Sequence, residues 1–578
     1  MKTRALIVLC LLSTIGMAQV ATSARQPDAL ATPLVTSTVY LPLVAGAATI
    51  DLAITRLDAS QAIQTPTQSV PFVSNRPTIV RAYLQAIGDH AVTGVYVSFS
   101  ATRGGVPIAG SPLVVGPLTA PLAPSEGNYA STVIVSLPGA WLSGNVTLTA
   151  TADPSGAIKE ISETNNQRST SLAFNNVPPL DLMIVPINYT QTPPGLNFPP
   201  VSTDPVSDFV RRTYPLSGIN VSYRAPWNFS GDLSDENDWL RLLNQITDLK
   251  DLDRAPDSQV YYGLIPTRDV NGQIHYFNIG GIGWLGYRAA VGLDGLYNVG
   301  AHEIGHTFGR LHAPCGDPAG VDPNYPYAGA SIGNYGIDVY SNTLISPLSP
   351  DFAVDLMSYC GPPWISDYTY IGLYNDQRAH SQVVARMAAA QPILLVRARF
   401  DGVQAAELLP VYSLDGYPDE TVAGGEYAVE LVGREGGVIA AYPVRRYETA
   451  DLDPPAFSIY AMLPQPAQPI AKIRLVHAGA LLAERLMSDL PPLQAPMRAP
   501  QVSDNAIILK WGPAEIPALV RYSFGSGEPW TTLGVDVLGG ELAIDRSWLP
   551  GGGLRFEVIP ADASIPVRYT LDIPAGGN

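Results

Sequence analysis

Residues 302–312 read HEIGHTFGRLH, and the rest of the chain is best read outward from them. On a helix, His302 and His306 lie one turn apart and present their imidazoles on one face, which is what two ligands of a single metal ion need. Glu303 follows the first histidine and can take a proton from an attacking water. Gly309 lets the chain leave the helix abruptly, in a positive-φ conformation that a side chain would resist, and swing His312 round as a third ligand. Three neutral imidazoles leave one tetrahedral position open, as a catalytic rather than a structural zinc requires. Histidines are often plain core or surface residues, but three of the seven in this chain fall at these positions with Glu and Gly also in place.

Upstream of the motif, LDLMIVPI from Leu180 reads as a strand, Asp204 to Thr213 as a helix and INVSYRA as a strand. Trp239, Leu242, Leu243, Ile246 and Leu249 then recur at helical spacing behind a Ser234 or Asp235 cap. QVYYGLIP and IGWLGYRAAV read as two further strands, the second bringing an edge strand up just before the histidine helix. The layer order predicts an α+β domain over residues 178–390. On either side the pattern is different. Short alternating runs such as VTGVYVSFSA and GNVTLTATA, separated by Gly and Pro turns, predict a β-sandwich over 50–177, and similar runs predict two more over 391–490 and 491–578.

Composition agrees with that division. Charged residues make up 15% of the 578, while 52 Gly and 53 Pro favour many turns and short strands over long charged helices. A net charge of −17 counts against nucleic acid as a partner. Lys2 and Arg4 precede the apolar run ALIVLCLLSTIG, too short to span a bilayer, with small residues near Ala18 and Ala24; residues 1–24 read as a secretory signal and 25–49 as a linker. The expected mature chain is therefore secreted, has no transmembrane segment, and keeps only Cys315 and Cys360 of the three cysteines. Its oligomeric state is left open.

The eleven residues resemble the extended zinc signature of the metzincin clan of metallopeptidases. Downstream, Asp355-Leu-Met357-Ser-Tyr359-Cys360 resembles the clan's Met-turn. The resemblance covers roughly residues 178–390. It implies a zinc endopeptidase in which His302, His306 and His312 bind Zn2+, Glu303 is the general base, Met357 floors the imidazoles and Gly309 turns the chain. Tyr359 matches a tyrosine that in astacin-like and serralysin-like members lies near the metal and helps hold the oxyanion; a packing role is the alternative. After His312 the chain reads Ala-Pro-Cys-Gly and departs from those families, which leaves the subfamily open. Because both segments would converge on the zinc, a Cys315–Cys360 disulfide is expected, with free thiols or Cys315 as an extra ligand as alternatives. A cysteine-switch prosegment would need another cysteine upstream, so any latency must use a different ligand or steric cover.

By the same analogy the strand from Ile282 to Val291 should pair with an extended substrate. Trp364 and Tyr368 should either line the pocket after the Met-turn or pack the following helix. The stretch from Asp153 to Asn166 resembles the late hairpin of CARDB-like immunoglobulin-type domains; its acidic residues suit turn capping, with structural Ca2+ as a second candidate cofactor. The last module, with Trp511 and Tyr522, resembles a fibronectin type III-like domain. His275, Asp251, Asp253, Asp415 and Asp451 fall in turn-like contexts that capping explains. The expected fold is thus multidomain, an α+β metzincin-type catalytic domain flanked by all-β immunoglobulin-like sandwiches, acting on extracellular protein or glycoprotein. The alternative is a surface adhesin or glycan-binding protein with a vestigial peptidase domain, against which an intact Glu303 argues.

Overall fold

The structure is a computed structural model that describes residues 49–201, 206–341, 347–380, 391–401, 405–419, 425–489, 498–503, 505–524 and 530–573. The expected signal segment, with Cys10, and nearly all of the linker lie outside the described residues. Alternation in the first part gives what it predicts: Val95, Val97, Phe99 and Ala101 point inward from strand Val92–Arg103 and are at most fractionally exposed. That strand belongs to a six-stranded sheet facing a three-stranded one built from Asp51–Ser60, Ile79–Ile87 and Val133–Ser136. Trp141 is fully buried between them, its indole N–H donating to the Ala109 carbonyl at 2.9 Å. The loop from Asp153 to Asn166 joins two antiparallel strands, Gly144–Ala152 and Gln167–Asn175. Its acidic groups are engaged by local donors: Asp153 accepts from Ile158 N at 2.6 Å and Glu160 from Leu52 N at 2.7 Å.

The central sheet is built on β1 (Leu180–Gln191), whose near-continuous apolar run marks a strand covered on both faces. β2 (Leu196–Phe198) returns antiparallel to its end, while β3 (Ile219–Tyr223) and β4 (Trp227–Gly231) run parallel along one edge. On the other edge lie β5 (Val260–Ile265), then β7 (Ala289–Leu293), both parallel, and finally β6 (Gly281–Gly283), antiparallel to β7 and outermost. The sequence pattern predicts one edge strand over 282–291. Instead, Trp284 to Arg288 form a turn, with Gly286 at φ 77°, and split the stretch into a hairpin of two short strands.

Among the described residues, four α-helices complete this region: α1 (Val206–Thr213), α2 (Glu236–Leu252), α3 (Tyr297–Thr307) and α4 (Asp367–His380). In α2 the Asp235 side chain caps the first turn by accepting from Asn237 N at 3.0 Å. The stripe of Trp239, Leu242, Leu243, Ile246 and Leu249 is fully buried. Part of what covers it comes from far away in sequence. Ile393, Leu395, Tyr412, Leu414 and Tyr460 share one hydrophobic core with α2, so the apolar interior is continuous across residue 391.

Beyond residue 391 the described residues form strands and no α-helix. The first pair of sheets includes β8 (Arg446–Glu448), which pairs with β9 (Phe457–Pro464) and forms one edge of its sheet. The last two sheets, of three and four strands, enclose Leu509, Val520 and Phe556. At the other end, the first sandwich is tied to the central region by Arg76, which donates to the carbonyls of Arg211 at 2.8 Å and Arg212 at 2.9 Å. These bonds satisfy the free carbonyls at the end of α1.

Candidate metal centre

Helix α3 carries the first two histidines. It packs so closely on its neighbours that a Cβ built on Gly305 would stand 2.4 Å from Met357 Sδ. The helix ends at Thr307; Gly309, at φ 71°, reverses the chain, with its N–H donating to His306 O at 2.8 Å. His312 arrives from this turn. His306 and His312 are fully buried and His302 is 5% exposed.

Each imidazole is oriented by its Nδ1. That of His302 lies 2.7 Å from the Leu356 carbonyl, that of His306 2.6 Å from the Arg310 carbonyl, and that of His312 2.5 Å from the Ala319 carbonyl. A carbonyl only accepts, so each Nδ1 must carry the proton and each Nε2 a lone pair. The three Nε2 atoms then face one another at 3.0, 3.1 and 3.1 Å. Three lone pairs at that range repel unless a cation lies among them, and the carbonyl partners are those that metal-binding histidines use. The residues present therefore suit a divalent metal, and the all-imidazole set suits zinc.

Glu303 is 2% exposed, and its Oε2 has no hydrogen-bond partner among the described residues. Burial, reinforced by the charge of Asp451, raises its pKa well above the ordinary carboxylate value. Met357, 1% exposed, packs against Gly305 of the histidine helix. Its turn is held by Asp355, fully buried, which accepts from Met357 N at 2.8 Å and from Ser366 N at 2.9 Å. Ala313 N donates to Met357 O at 2.8 Å, and Tyr359 N to Cys315 O at 3.1 Å, so the third-ligand loop and the Met357 turn are laced through their backbones. Cys315 and Cys360 form a disulfide across this junction, with Cα atoms 5.7 Å apart. The Tyr359 ring centre lies 4.9 Å from that of His312 and 5.8 Å from that of His302. Burial on this side, with the Asp451 carboxylate beside it, raises its pKa above the ordinary phenol value.

Of the two roles open to Trp364, lining a pocket or packing, it packs: it is 3% exposed, lies edge-on against Phe209 and donates to the Ala62 carbonyl at 3.0 Å, joining the first sandwich to the central region. The capping role expected of Asp451 needs correcting: its side chain reaches the histidines instead. Its Oδ1 stands 3.3 Å from Nε2 of both His306 and His312 and 3.7 Å from that of His302. Among the described residues, His302, His306, His312 and Asp451 are the one group of histidine, cysteine and acidic side chains placed to share an ion. No local signal could have found Asp451, which lies 139 residues beyond His312. The other acids set aside do have structural partners: Asp253 pairs with Arg224 at 2.7 Å, Asp415 with Arg568, and Asp251 accepts from Tyr287. His275 lies 3.1 Å from Asp269.

Among solved structures, the chain is similar to a CARDB domain from Pyrococcus furiosus, at 14% identity over 24% of this chain and 100% of that one, with a TM-score of 0.15. It is also similar to a β-glycosidase from Bacteroides vulgatus, at 8% identity over 91% of this chain and 80% of that one, with a TM-score of 0.16. Comparison with curated proteins by sequence finds no match. Residues 249–360 match the family model of peptidase M66, and that stretch runs from the end of α2 through all three histidines, Glu303 and Met357 to the second cysteine of the disulfide.

Proposed function

We propose that the protein is a secreted zinc endopeptidase that cleaves internal bonds of extracellular proteins, of the metzincin type that its motif resembles. The observation that carries this reading is the set of three Nε2 lone pairs, each fixed by a carbonyl at Nδ1, converging beside a buried carboxylate with an unpartnered oxygen. Bound zinc supplies a Lewis acid that polarises the scissile carbonyl and makes water acidic enough to attack at neutral pH.

The rest falls to the chain. Glu303 accepts the proton of the attacking water and delivers it to the leaving amine. The Tyr359 hydroxyl, a donor beside the histidines, helps hold the developing oxyanion. The outer edge of β6 offers backbone groups to an extended peptide. Met357 and Asp355 hold the imidazoles from beneath. The disulfide suits an oxidising compartment and so supports export. No helix of the described residues is long and apolar enough to cross a membrane.

Metal analysis and peptide-library assays on the parent chain and Glu303→Ala, each also carrying Asp451→Ala, provide the test. One zinc per chain is expected in both, with hydrolysis reduced about 10²- to 10⁴-fold or more in the variant. If no form of the chain whose zinc is accessible to small ligands cleaved any peptide, the reading would fail.

A further inference from the structure

Asp451 is delivered to the metal centre by a built path. From β8, Glu448 O accepts from Leu285 N at 2.9 Å, Thr449 forms an antiparallel bridge with Trp284, and Asp451 Oδ2 lies 3.5 Å from Gly283 N. The loop closes on itself through Thr449 N to Ala456 O at 3.1 Å and Ala456 N to Thr449 Oγ1 at 3.3 Å. Its two flanks are anchored: Ala450 is 4% exposed beside Gly320, and Leu452, 6% exposed, joins the core shared with α2. The segment thus runs antiparallel beside the hairpin that begins with β6, where an extended peptide would have to lie.

The distances around Asp451 match a coordination shell. The donors of a tetrahedral ion with arms of about 2.0 Å are about 3.3 Å apart. The three Nε2 atoms are separated by 3.0, 3.1 and 3.1 Å, and Asp451 Oδ1 completes the figure at 3.3, 3.3 and 3.7 Å. All four side chains are enclosed, that of Asp451 being 5% exposed.

We propose that Asp451 is the fourth protein ligand of the metal and that the segment Glu448–Asp451 occupies the substrate's place, so that the folded chain is a latent form opened by withdrawal of this loop. The ligand assignment stands on donor geometry alone; the latency rests on the peptidase reading above. The lock is carried by the β-domain that follows the metal centre, and its carboxylate takes the position that water needs in a catalytic site.

The test uses the full chain, as wild type, Asp451→Ala and the near-isosteric Asp451→Asn, each checked by circular dichroism and loaded with zinc or cobalt(II). Wild-type cobalt(II) protein should give a visible spectrum that acetohydroxamate does not alter. In both variants the spectrum should shift and respond to acetohydroxamate, zinc should pass to a chelator at least about tenfold faster, and casein hydrolysis should rise at least about tenfold. Spectra and chelation rates unchanged in a folded variant overturn the ligand assignment. Altered spectra with wild-type hydrolysis as fast as that of the variants overturn the latency. Altered spectra and faster zinc loss, with no hydrolysis in any form, keep Asp451 as a ligand and overturn the peptidase reading instead.

Discussion

Gly281 shows how little room the proposed general base has. A Cβ there would stand 2.6 Å from Glu303 Cγ and 2.9 Å from its carboxyl carbon, while one on Gly283 would stand 2.7 Å from the Glu303 carbonyl oxygen. These glycines are needed because strand and helix approach so closely, not for a special backbone conformation. Gly281→Ala should therefore displace the Glu303 carboxylate and leave the histidines in place. Measured in the Asp451→Ala background, kcat/KM should fall about 10²-fold with zinc content unchanged, since an error of about 1 Å at a reacting group costs that much. Undiminished kcat/KM would remove Glu303 from the mechanism. At this scale the sequence shows the histidines, Glu303 and Gly309 because a helix and one turn place them within eleven residues. Gly281 and Asp451 escape it because their meaning comes only from what tertiary packing sets against them.

The element that fixes the third ligand is a pair of loops rather than a helix or strand. Residues 313–316 and 357–360 exchange backbone hydrogen bonds and are closed by the disulfide. Gly316, at φ 87°, is required there, since a Cβ would stand 2.6 Å from Tyr359 Cβ. The bridge closes a separation of 45 residues, worth about 4 kcal/mol of unfolded-state entropy in the loop model. Replacing both cysteines by serine should lower the unfolding free energy by about 2–4 kcal/mol in urea titration and speed zinc loss to a chelator. An unchanged midpoint and chelation rate would show that the backbone lacing alone holds the loops. Among the elements, α2 is legible because its apolar stripe and Asp235 cap agree. The hairpin of β6 and β7 is not, because IGWLGYRAAV is apolar throughout and hides its turn at Gly286.

At the scale of the molecule, alternating runs and turn residues announce β-rich segments on both sides of the metal centre, but not that the later ones share a core with it. Arg397 shows the consequence. It is 2% exposed on strand Gln391–Asp401, donates to Asp248 on α2 at 2.7 Å and to Asp536 in the last module at 2.7 Å, and reaches the Pro410 carbonyl at 2.9 Å. Asp248 is itself 2% exposed, so removing the guanidinium strands a carboxylate in the interior, whereas Asp536 can turn to solvent. Arg397→Ala should cost about 3–5 kcal/mol, while the double variant Arg397→Met with Asp248→Leu, which removes both charges and keeps apolar volume, should recover most of it. Urea unfolding of the three chains measures this, with emission from all eight tryptophans, Trp239 on α2 and Trp284 in the hairpin among them, following tertiary packing. If the central region and the β-modules are one cooperative unit, emission and far-ultraviolet dichroism should move together in the wild type and in Arg397→Ala. Two separated transitions would show that the shared core is too weak to couple them, and the loop that carries Asp451 could then withdraw with its domain while the metal centre stays folded.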